Sequence, residues 1–154
     1  MTIQIIKYQE QYWEDICRIH DAARKAELAY ASLKEAFLPL EAVAVEEGLF
    51  EYKHLDVAVE DGQAVGFCAY SEEELAWLYV SPEKMRNGIG KQLALHAMAE
   101  EKALCYVETL RGNEPARRLY ESLGFKIREI LTGKMPGNEQ FSVQVYSMFA
   151  ERKL

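Results

Sequence analysis

The chain is short of basic charge, of histidine and of paired cysteine, and each shortage argues against a class of function. Its 18 lysines and arginines stand against 25 acidic residues, a net charge of −7. Sequence-independent nucleic-acid binding depends on neutralising phosphates with Lys and Arg, so no nucleic-acid partner is expected. Excess acid is first of all a solubility device, and it also suits a cationic ligand such as an amine. The three cysteines, Cys17, Cys68 and Cys105, sit singly in apolar surroundings. An odd count without paired spacing fits buried thiols in a reducing cytoplasm better than disulfides or zinc. His20, His54 and His96 are scattered, and no metal constellation is expected. No apolar run approaches the roughly 20 residues that span a bilayer. Met1 to Ile6 carries no basic leader, so neither a membrane anchor nor a secretory signal is expected.

What is present suits one domain over residues 1–154, with 49% hydrophobic and 28% charged residues and a core that needs no staples. Ile3, Ile5 and Ile6 suggest a short strand. Glu10 to Leu28 reads as an amphipathic helix with Trp13, Ile16, Cys17, His20 and Ala23 or Arg24 near one face. At the edge of that stripe, His20 reads as structural before it reads as a ligand-facing group. Leu40 to Phe50 reads as a second helix, with Pro39 at its start and Gly48 near its end. Asp56–Glu60 and Ala64–Tyr70 form a hairpin through Asp61-Gly62, since both residues tolerate positive φ. A strand over Glu74–Val80, a helix from Gly88 to Ala103, a strand over Leu104–Leu110 and a helix over Glu114–Leu123 follow, with Gly124 as terminator. Strands at Lys126–Leu131 and Phe141–Phe149 close the chain, separated by a loop holding Gly133, Pro136 and Gly137. Antiparallel strands first, then strand–helix–strand–helix, describe an α+β fold. Its sheet is mixed and mostly antiparallel, with about seven strands flanked by helices.

The most informative stretch runs from Glu74 to Lys91. The apolar run Leu75–Val80 passes through Ser81-Pro82-Glu83-Lys84 into Met85-Arg86-Asn87-Gly88-Ile89-Gly90-Lys91. An apolar pattern of helical period follows at Leu93, Leu95, Ala97 and Met98. A strand feeding a glycine-marked turn that opens into a helix aims unpaired backbone N–H groups at one spot. That spot favours an anion, most often a phosphate. A dinucleotide fingerprint would need glycine where Leu93 stands, and a Walker loop would need Ser or Thr where Gln92 stands. Neither fits.

Downstream, Asn113, Ala116, Leu119, Tyr120, Gly124 and Phe125 fall at spacings that, with Gly88 and Gly90, resemble the GCN5-related N-acetyltransferases. The resemblance covers about Asp56 to Phe125. It implies bound acetyl-coenzyme A and direct transfer of acetyl to a primary amine through a ternary complex. The acceptor is a small molecule, a peptide or protein N-terminus, or a lysine. A coenzyme A-binding regulatory module without transfer, and an enzyme using another acyl group, stay open. So does oligomeric state, family members often pairing as homodimers. The family's glycine motif usually has Gln or Arg where Met85 stands. Backbone contacts to a pyrophosphate survive that departure, whereas a polar side-chain contact from position 85 does not.

An amine attacks a thioester only when neutral, and a lysine side chain (pKa about 10.4) is protonated at pH 7, so a base must take a proton. The oxyanion needs a fixed donor and the departing thiolate an acid. By resemblance, the strand Leu78-Tyr79-Val80 offers main-chain groups to the pantetheine arm, with the Leu78 N–H as oxyanion donor. Met85, Arg86, Asn87, Gly88, Ile89, Gly90 and Lys91 wrap the pyrophosphate, and Tyr120 is the general acid. Asn113 contacts the coenzyme, and it also reads as a helix N-cap. Glu74 lies fourteen residues before Gly88, the offset of the base in the histone-acetyltransferase branch. Glu108 lies twelve before Tyr120, the offset in the branch that acetylates ribosomal-protein N-termini. Glu108 shares a strand face with Tyr106 and Leu110, an unusual place for an acid without a task, and is placed slightly ahead of Glu74. Ordered water is a third base. The acceptor pocket is expected from the first two helices and the last strand pair, with Tyr30, Phe37, Tyr70 and Tyr146 as candidate walls.

Overall fold

The computed structural model describes residues 2–153; Met1 and Leu154, the ends of the expected domain, lie outside the described residues. Seven strands form one sheet: β1 (Gln4–Lys7), β2 (His54–Glu60), β3 (Gln63–Tyr70), β4 (Glu74–Val80), β5 (Tyr106–Leu110), β6 (Phe125–Met135) and β7 (Asn138–Ala150). Their order across the sheet is β1-β2-β3-β4-β5-β7-β6. Every neighbouring pair is antiparallel except β4 and β5, which are parallel. The expected mixed sheet of about seven strands is the one found.

Period-two alternation sends each strand's side chains to two separate cores. Helices α1 (Trp13–Tyr30) and α2 (Leu40–Val43) cover one face, where Ile16, Ile19, Leu40 and Val43 meet Val57, Phe67, Ala69 and Trp77. Helices α3 (Ile89–Glu100) and α4 (Glu114–Ser122) cover the other, where Leu93, Ala97 and Tyr120 meet Ala58, Cys68, Leu75, Val107 and Met148. The β2–β3 hairpin turns through Asp61 (φ 51°) and Gly62 (φ 80°), the paired positive φ of a type I′ turn.

Several boundaries differ from the sequence reading. A 3-10 turn at Glu10–Tyr12 precedes α1. The second helix stops at Val43, and the chain continues as turns to Gly48, left-handed at φ 69°. Leu95 on α3 is 48% exposed, so the buried stripe is Ile89, Leu93, Ala94 and Ala97. The final hairpin is longer than expected because Gly133 pairs with Val143 inside it, and only Pro136-Gly137 makes the turn. Pro followed by Gly at φ 75° is the chemistry of a type II turn. Of the three free cysteines only Cys68 is fully buried.

Two features shape the centre of the sheet. Opposite β3, Tyr70 pairs with Leu75 and Ala69 with Trp77, so Ala76 is an extra residue that bulges β4. On the other side, β4 and β5 are in register only at Glu74–Tyr106 and Leu75–Val107, and beyond them the strands part.

Candidate active site

The parting of β4 from β5 leaves main-chain groups without a ladder partner. Just past β4, the Ser81 N–H donates to the Val65 carbonyl at 2.9 Å. In an antiparallel pair, residues alternate between bonding their neighbour and facing away, so Tyr79 also bonds towards β3. Leu78 and Val80 therefore turn their N–H and C=O groups to the edge that β5 has left. Of the three strand residues expected to offer main chain to a ligand, Leu78 and Val80 have theirs at the open edge. Tyr79 does not, because its main chain belongs to β3.

A cavity of about 300 Å³ opens at the gap and brings Glu74, Leu78, Tyr79, Glu108 and Tyr120 together on one lining. The Tyr120 ring is 7% exposed and meets Phe125 edge-on. Burial, with Glu27 and Cys68 nearby, pushes its phenol far above the ordinary value, so it keeps its proton at neutral pH. Glu74 is half-buried, and burial together with the charge of Glu108 raises its carboxyl above the ordinary value. Glu108 is exposed, and the Tyr106 hydroxyl donates to it. Its place on a mixed face is thus explained by solvent as well as by the cavity.

The sequence reading missed Glu27. This α1 carboxylate lines the cavity and accepts from the Tyr79 hydroxyl at 3.3 Å, from Asn113 Nδ2 at 3.2 Å and from the Arg24 guanidinium. Burial would lower the Arg24 value, but the neighbouring Glu27 carboxylate, with the Tyr79 phenol beside it, holds it above normal. The spacing 16, 20, 24, 27 continues the helical stripe already recognised at Ile16 and His20, and that was the available signal. Asn113 is an N-cap, accepting from the Ala116 N–H at 3.4 Å, while its amide is held by Glu27. His20 is 3% exposed, bonded to Asp21 at 2.9 Å, and lines the cavity. Burial lowers its value, so it is neutral at pH 7.

The aromatic walls are not the expected ones. Tyr52 and Trp77 line the cavity, together with Glu47 from the turn after α2. Tyr70 instead donates to buried Asp56 at 2.6 Å, and Tyr30 is 51% exposed. The Phe37 ring lies under the Lys25 ammonium, and Tyr146 packs on the α3–α4 side.

The glycine turn lies beyond the cavity lining, reached along Leu78–Val80. Arg86 (φ 71°) and Gly88 (φ 77°) are both left-handed, and residues 85–88 are exposed. Within α3 the Gln92 N–H bonds the Gly88 carbonyl at 3.0 Å, so the amides of Ile89, Gly90 and Lys91 precede that bond. A Cβ at Gly90 would stand 3.5 Å from Leu119 and 3.6 Å from Val80, so this residue lets α3, α4 and β4 converge. Exposed amides beside a helix start suit a pyrophosphate, and the open edge of β4 suits an extended arm carrying amides.

Residues 51–127, half of the chain, match the family model described as an acetyltransferase (GNAT) domain. Among curated proteins, the peptidyl-lysine N-acetyltransferase YiaC of Escherichia coli (strain K12) is 36% identical over 69 residues, 44% of this chain and 47% of that protein. The match thus spans about half the length of that relative. Among solved structures, the ribosomal-protein-S18-alanine N-acetyltransferase of Escherichia coli superposes with TM-score 0.73 at 17% identity, covering 99% of this chain and 96% of that one. The PaiA N-acetyltransferase of Thermoplasma acidophilum, solved with coenzyme A, superposes with TM-score 0.71 at 20% identity, covering 98% and 99%. At those identities the likeness is one of fold.

Proposed function

The chain belongs to the GNAT acetyltransferase family, and from that premise we propose that it acetylates a primary amine directly from acetyl-coenzyme A in a ternary complex. The observation that carries the reading is the cavity at the parted strands. Its lining joins an open main-chain edge, a proton-holding phenol and four carboxylates, Glu27, Glu47, Glu74 and Glu108. The coenzyme supplies the acetyl group and the sulfur leaving group. The amides around Gly88 and Gly90 hold its diphosphate, with Lys91 adding positive charge, and Leu78 and Val80 hold its arm.

Glu74 takes the proton that the attacking amine sheds as the new C–N bond forms. Its burial favours it over exposed Glu108, because a raised carboxyl stands closer to neutral pH, where general bases work best. The Leu78 N–H stabilises charge on the carbonyl oxygen, and Tyr120 gives its proton to the sulfur as the C–S bond breaks. Glu47, Glu74 and Glu108 also line the cavity, whereas Arg24 is matched by Glu27. That balance suits an acceptor that arrives protonated, whether a small amine, a peptide N-terminus or a lysine. Free thiols at Cys17, Cys68 and Cys105 suit a reducing cytoplasm.

Free-thiol release, followed with acetyl-coenzyme A and a panel of amines, tests the reading. The expected result is thiol produced only when both are present. A protein that coenzyme A stabilises against heat but that releases no thiol with any amine is a binding module, and the enzyme reading falls.

A further inference from the structure

Thr109 on β5 carries a hydroxyl that the fold leaves without a partner. The residue is 5% exposed, its Oγ1 makes no hydrogen bond to any described residue, and it lines the same cavity as Tyr120 and Leu78. A buried hydroxyl in that state loses its water and gains nothing in return, whereas valine has the same shape and no such loss. Strand alternation sets Thr109 on the opposite face from Glu108. Across the β5–β7 ladder it pairs with Tyr146, which packs against the core that includes Val107, Met148 and Tyr120. Thr109 thus belongs to the α4 side of the gap. On the other side of that gap, β4 presents the main chain of Leu78 and Val80.

We propose that Thr109 is a positioning residue for the coenzyme, its hydroxyl hydrogen-bonding an amide of the pantetheine arm between β4 and β5. The inference rests on the coenzyme reading given above. A hydroxyl both donates and accepts, so an amide N–H or an amide carbonyl satisfies it. β4 holds one edge of the arm and Thr109 the other, which fixes the thioester against Tyr120.

Calorimetry with two ligands tests this: coenzyme A, and adenosine 3′,5′-bisphosphate, which lacks the arm. Thr109→Val is expected to weaken coenzyme A roughly tenfold, a hydrogen bond's net worth. It should leave the bisphosphate unchanged and raise, not lower, the melting temperature of the free protein. Thr109→Ser, which keeps the hydroxyl, should restore most of the coenzyme A affinity. Equal coenzyme A affinity in the valine variant overturns the inference alone, as does a loss shared by both ligands or a serine variant that rescues nothing. An unaltered chain that binds neither ligand overturns the coenzyme reading, and the inference with it.

Discussion

On the α3–α4 side of the β4–β5 gap, the site is made mostly of main chain: the exposed turn at Arg86–Gly88, the first amides of α3, and the outward edges of Leu78 and Val80. On the α1–α2 side it is made of side chains, with Glu27 and His20 from α1, Glu47 after α2, and Glu74 and Trp77 from β4. The first kind of site depends on φ, ψ and strand register, which many side chains satisfy, and so Met85 need not be the Gln or Arg that the family resemblance led one to expect. The second kind depends on the identity of residues far apart in sequence. The proposed chemistry sits where the two meet, at Tyr120.

That contrast is sharpened most by removing the phenol. Tyr120→Phe should lower kcat on the order of 10²-fold or more, the usual worth of a positioned acid, with coenzyme A affinity nearly unchanged. Steady-state rates and calorimetry on the same preparation decide it, and an unchanged kcat would take Tyr120 out of catalysis. Next in size is a main-chain lesion. Gly88→Val has open space around its Cβ but forces a β-branched residue to φ 77°. Coenzyme A affinity should fall roughly tenfold, while Met85→Ala, a side-chain change in the same turn, leaves it within about twofold. If the two variants lose affinity alike, the main-chain account of that side is wrong.

The smallest effect lies on the acceptor side and is read in pH. Glu74 is held above its ordinary value of 4.5 by burial and then by Glu108. As the base it must be ionised, so kcat climbs as pH rises through that elevated value. Glu108→Gln removes the negative neighbour, lowers the Glu74 value, and should move the climb to lower pH. A climb that stays in place, in a variant that still turns over, would separate Glu74 from the base.

The same contrast accounts for what could be read from the amino acids. Asp61-Gly62 marked its hairpin because positive φ at two successive positions has few residue solutions. Gly88, Gly90, Asn113 and Gly124 marked their turn and caps for similar local reasons. Residues set by tertiary packing were harder to see. Gly133 looked like loop until its ladder partner Val143 was known, and the turns that run from α2 to left-handed Gly48 were not marked by any local residue pattern. Glu108 drew attention from its strand face, whereas the greater burial of Glu74 is something periodicity does not give. Tyr52 and Trp77 replaced the expected aromatic walls because which rings converge on a cavity depends on how α1, α2 and β4 cross.

The extra residue at Ala76 and the brief register between β4 and β5 have a mechanical consequence. Four strands on one flank and three on the other form two leaves, and the seam that stitches them is the shortest in the sheet. The cavity draws its lining from both leaves along that seam, so a change that loosens the joint is expected to reach stability and turnover together.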